Sequence, residues 1–176
     1  MNVIQTYKNH KFSSLVIAGL LGTLAFYITA FVDMAITGVP LDISVTLGML
    51  VVGEHESSLI IGNIFHIGNG IGLTLFFGYV FLPISTRIMT GRIWLHGIIF
   101  GVIVTVTTVW LGMLPALGAG IAGLNIAPEV PAMTMFRHVA FGAVIGILSK
   151  YISHGGFRSW ISYELILVEN VDKNYR

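Results

Sequence analysis

Four stretches of this chain are each apolar over about 20 residues, the length at which an α-helix crosses the hydrocarbon core of a bilayer. They cover residues 14–37, 58–82, 93–114 and 133–151. A backbone surrounded by lipid must pair its polar groups internally, so each stretch is expected to be a helix. Only 10% of the residues are charged and 55% are hydrophobic, against about a quarter charged in an ordinary soluble domain. The expected fold is therefore all-α, a polytopic membrane four-helix bundle. Residues 1–151 form its single domain. Residues 152–176 read as a cytoplasmic interfacial tail, because Phe157, Trp160 and Tyr163 alternate there with Arg158 and Glu164. The first apolar run is longer than the core of a cleaved signal, so it reads as a retained helix.

The breaks between the stretches are chemically distinct. Gly38, Pro40 and Asp42 end the first, Pro83 and the segment after it end the second, and Pro115, Pro128 and Pro131 frame the gap after the third. After Asp42, a plausible N-cap, residues 41–52 are apolar but too short to span, which suggests a re-entrant or interfacial helix. The glycine- and alanine-rich residues 116–126 read as an outer interfacial loop. Eight of the nine Lys and Arg fall before the first stretch, between the second and third, or after the fourth. Only Arg137 lies near the opposite face, beside Asp42, Glu54, Glu56 and Glu129. Because cytoplasmic loops carry the basic excess, the expected location is the cytoplasmic membrane with both termini cytoplasmic.

The net charge of +1 and the absence of any basic run exclude a nucleic-acid partner. Cysteine is absent, which removes disulfides, thiolate metal sites and a cysteine nucleophile. No phosphate-cradling loop, nucleophile elbow or zinc-protease motif is present, and the chain reads as non-enzymatic. The expected partners are membrane lipid and other membrane protein subunits.

Ionisable groups inside spans are costly and mark candidate sites. His66 and His138 each come early in a helix running inward, roughly 12 Å and 8 Å below its start at 1.5 Å per residue. Asp33 reaches a similar level from the first helix, Asn63 and Asn69 flank His66, and Arg137 adjoins His138. Each histidine is followed four residues later by glycine, at Gly70 and Gly142. Gly19 and Gly22 pair loosely with Gly97 and Gly101, a pattern compatible with a two-plus-two parallel repeat. Two facing histidines suit bis-imidazole ligation of a b-type haem. Gly62, Gly70, Gly142 and Gly146 would then clear room for the macrocycle, with Arg137 on a propionate. The same histidines with Asp33 suit a divalent metal. The bland alternatives are histidines hydrogen-bonded to backbone and glycines that merely let helices approach. His10, His96 and His154 read as solvated, Glu54, His55 and Glu56 as a charged helix cap, and Trp94, Trp110 and Trp160 as interface anchors.

Residues 18–23 (Ala-Gly-Leu-Leu-Gly-Thr), residues 38–43 with Leu47-Gly48, the run from His66 to Gly72, and the run from Arg137 to Gly146 together resemble a family of small four-helix bacterial and archaeal membrane proteins, a domain of unknown function. The similarity covers residues 15–151. It implies the four-helix fold and a recurrent histidine in the second and fourth helices, at His66 and His138, and it implies no activity. Three functions follow as expectations. The first is a non-catalytic subunit or assembly factor of a larger membrane complex. The second is a small membrane cytochrome or metal-binding electron carrier, and the third is a small channel or transporter lined by Asp33, Asn63, Asn69 and the histidines.

Overall fold

The computed structural model describes residues 3–153, and no strand occurs among the described residues. Five helices follow one another: α1 (Val3–Thr37), α2 (Ile43–Val52), α3 (Ser58–Ile88), α4 (Ile93–Ala116) and α5 (Val130–Ser153). Four contain segments long and apolar enough to cross a membrane: Lys11–Thr37, Ser58–Ile88, Ile93–Ala116 and Val130–Ser149. The expected all-α, four-span architecture is thus present. The segment read as an interfacial tail lies outside the described residues.

Two helices run through prolines that read as their ends. α3 passes Pro83 and reaches Ile88, while α4 passes Pro115 and reaches Ala116. Proline lacks an amide donor and crowds the carbonyl four residues back. In both helices a π-helical stretch comes immediately before, Phe77–Phe81 in α3 and Thr105–Met113 in α4. There the amide ahead of the proline reaches five residues back, Leu82 to the Phe77 carbonyl and Leu114 to the Val109 carbonyl. The wider turn shifts the carbonyls the ring would otherwise strike, so the helix continues.

α5 is the hub, packing on α1 and α4, while α3 packs on α1 and α2 folds back along α3. Glycine makes these approaches close. A Cβ on Gly19 would stand 3.1 Å from the Gly70 carbonyl oxygen, and one on Gly97 would collide with the Gly142 carbonyl. Small residues at a crossing are how membrane helices associate, through dispersion contacts between backbones. The first and second spans and the third and fourth spans thus make the same glycine-on-glycine contact, each four residues beyond a histidine, which supports the repeat reading. The core between them holds Phe26, Ile43, Phe77, Phe100, Val104, Phe141 and Ile145.

α2 begins where the sequence suggests. The Asp42 carboxylate accepts hydrogen bonds from the amides of Ser44 at 2.8 Å and Val45 at 3.3 Å, satisfying two of the donors a helix start leaves open. Tyr27 donates to Asn63 Oδ1 at 2.7 Å, and Ser44 donates to the same oxygen at 3.0 Å. Tyr27 and Asn63 both belong to candidate spans, so the start of α2 is tied to two of them. Asp42→Ala is expected to destabilise the fold by about 0.5–2 kcal/mol, read as a lowered Tm in mild detergent.

Candidate functional site

His66 on α3 and His138 on α5 meet through a residue of α1. The Phe26 ring, only 3% exposed, contacts the His66 imidazole edge-on at 4.6 Å and the His138 imidazole at 5.0 Å. Both imidazoles therefore lie at the level of one ring of α1, between α3 and α5. His138 Nδ1 lies 2.8 Å from the Thr134 carbonyl oxygen. A carbonyl can only accept, so in the neutral ring Nδ1 carries the proton and Nε2 keeps its lone pair. His66 has no hydrogen-bond partner among the described residues, and its Nδ1 is buried.

Two helical turns along α1 from Phe26, and beside His138, lies a buried ion pair. Arg137 is 0% exposed, and its Nε and Nη2 each donate to Asp33 at 2.6 Å. The third contact runs from Nη1 to the Leu41 carbonyl at 3.0 Å. This two-pronged geometry matches guanidinium to carboxylate and compensates the desolvation that burial imposes on both charges. It ties α1, α5 and the entry to α2 at one point. Sequence reasoning named both residues but assigned them separately, Asp33 to a metal or a pore and Arg137 to a propionate. A signal was available: two opposite charges in otherwise apolar spans, at the same end of the bundle.

Between α3 and α4 a cleft opens. The two helices touch where Phe77 and Phe81 meet Phe100, at centroid distances of 5.3 Å and 5.1 Å. Toward the other end they part around a cavity of about 80 Å³. His66 and Asn69 from α3, Thr108 and Met113 from α4, and His138 and Phe141 from α5 line it. Both imidazoles therefore reach one space.

That space does not fit a haem. The glycines that would bed the macrocycle are covered: Gly70 by Thr23, Gly142 by Gly97, Gly62 by Ser44 and Gly146 by the backbone of Trp94. A cavity of about 80 Å³ also falls well below the roughly 300–1,000 Å³ typical of cofactor pockets. The divalent set fares no better. Among the described residues no group of three or more His, Cys, Asp and Glu is placed to hold a metal ion, and both oxygens of Asp33 are taken by Arg137.

Other side chains differ from expectation in instructive ways. His96 is 2% exposed rather than solvated, with Nδ1 2.9 Å from Ser85 Oγ. Trp110 is half-buried, and its indole N–H turns into the bundle to donate to Thr134 Oγ1 at 2.9 Å. Phe26 and Met113, which shape the site, are apolar residues in apolar runs and gave no signal in the sequence.

Fold and site together define a polytopic helical bundle of membrane type, with a buried ion pair and a two-histidine cleft in its interior. The chain belongs to the family of unknown function DUF6789, whose model matches residues 10–156. No curated protein and no solved structure matches it.

Proposed function

We propose that this chain is a non-catalytic integral membrane subunit, or a stabilising factor, of a larger membrane complex, and that a transmembrane helix of another polypeptide lies along α3. An unfilled notch carries the reading. In this bundle glycine serves close packing: Gly19, Gly22, Gly62, Gly70, Gly78, Gly97, Gly101, Gly142 and Gly146 each face an atom of a neighbouring helix. Gly68 and Gly72, one turn apart on α3, would meet nothing within 4 Å if a Cβ were added. Phe65 and Phe76 flank them, 49% and 51% exposed. The second span is also the least covered, 22% buried against 39%, 39% and 44% for the others. Glycines one turn apart on an apolar helix suit a close crossing with a second membrane helix.

The interior supports a structural rather than a catalytic role, since Asp33, Arg137, Tyr27, Asn63 and His96 are all engaged by one another or by neighbours. A transport path along Asp33 would have to break its bond to Arg137. We place the protein in the cytoplasmic membrane with both termini cytoplasmic. The ninth basic residue, Arg137, is neutralised inside the bundle, so the other eight alone set the bias.

Native electrophoresis of membranes solubilised in mild detergent tests the reading. The wild-type chain is expected in an assembly containing a second polypeptide, and Gly68→Leu with Gly72→Leu is expected to release it as an intact monomer. Migration of the wild-type chain alone would overturn the proposal.

A further inference from the structure

We propose that the cleft between α3 and α4 binds a soft monovalent cation, copper(I), through His66, His138 and the thioether of Met113. The inference is independent of the complex-subunit reading, because it concerns the interior and not the exposed face of α3.

His66, His138 and Met113 line the same cavity. His138 offers Nε2, because its Nδ1–H is held by the Thr134 carbonyl at 2.8 Å. This is the outer-shell arrangement that fixes the tautomer and aim of a metal-binding histidine. Thr134 is itself held, donating to the Val130 carbonyl at 2.9 Å and accepting from Trp110 at 2.9 Å. His66 packs edge-on against Phe26 and Tyr27, while its buried Nδ1 has no hydrogen-bond partner, a costly state for a polar atom unless something completes it. Met113 closes the π-helical stretch Thr105–Met113, and such widened turns recur at functional sites.

Donor chemistry selects the ion. Imidazole and thioether are neutral and soft to borderline, a set that suits copper(I) and offers little to magnesium, calcium or manganese, which want carboxylate and water. A divalent ion held by neutral donors would bring two uncompensated charges into an apolar interior, whereas copper(I) brings one. The nearby guanidinium does not oppose it, since Asp33 neutralises Arg137 through two bonds. Size agrees as well: about 80 Å³ is roughly half the 150 Å³ of a cavity that admits benzene, so it admits an ion more readily than an organic ring. No redox step is implied; the ion enters as copper(I) and its ligands lose no proton.

The test uses the full chain in lipid nanodiscs under anaerobic, reducing conditions, with copper(I) titrated against a chromophoric copper(I) chelator. One copper(I) per chain is expected, with X-ray absorption showing nitrogen and sulfur neighbours. Met113→Leu conserves volume and so keeps the fold; it is expected to remove the sulfur neighbour and weaken binding about tenfold or more, while His66→Gln or His138→Gln weakens it by at least the roughly 10–100-fold that follows loss of an outer-shell partner alone. Should the histidine variants fail to fold, the wild-type spectrum and Met113→Leu still decide. Complete loss of copper to the chelator, a spectrum without sulfur, or unchanged affinity in Met113→Leu would each overturn the proposal.

Discussion

Replacing Arg137 with methionine is expected to cost about 3–5 kcal/mol of stability, the usual penalty for removing one member of a buried ion pair. The cost arises from what is left behind. Asp33 is 7% exposed, and without Arg137 its carboxylate loses both hydrogen bonds and its counter-charge in an apolar interior, while the Leu41 carbonyl loses its donor. Removing both charges together, as Asp33→Leu with Arg137→Met, is expected to recover most of the loss, because an apolar pair of similar volume often matches or exceeds a buried salt bridge. Unfolding by denaturing detergent measures both variants. A double variant as unstable as the single one would mean that the two charges are not coupled.

The second large effect is expected from Gly62→Leu. A Cβ at this position would collide with the Ser44 carbonyl and stand 2.8 Å from the Gly48 amide nitrogen. These are backbone atoms of α2, which cannot rotate aside as a side chain could. The whole helix would have to lift from α3, taking with it the hydrogen bond from Ser44 to Asn63. The loss is expected to exceed the roughly 1–3 kcal/mol usual for overpacking a core. A cysteine placed at Leu47, which is half-buried against the central core, reports the displacement: it should react faster with a membrane-permeant maleimide when Gly62 is also replaced. Because the chain has no cysteine of its own, the label is unambiguous. Equal reactivity with and without the substitution would show that α2 is not held on Gly62.

Much of the fold was legible because span length and backbone satisfaction act on every residue of a run, and four runs of the right length leave few alternatives. The Asp42 cap was legible for a local reason, since a short carboxylate just ahead of an apolar helix can reach only the first-turn amides. Pro83 misled because proline was weighed without the π turn at Phe77–Phe81, and no residue type marks such a turn. His96 misled for a tertiary reason, as its partner Ser85 arrives from α3 across a short loop. The two histidines were found through depth and spacing, which helix geometry makes calculable. Their surroundings were not. Whether Gly70 faces open space or Thr23, and whether Asp33 faces an ion or Arg137, depends on which helices become neighbours. One chain read alone carries no record of those pairings.

Four helices crossing a bilayer put the α2–α3 turn and the α3–α4 turn on opposite sides. Single cysteines at Glu54 and Arg87, at the two ends of α3, test this in sealed vesicles with a membrane-impermeant maleimide. Each position is expected to label from one side only, and the sides are expected to differ. Labelling of both positions from the same side, without opening the vesicles, would contradict the account.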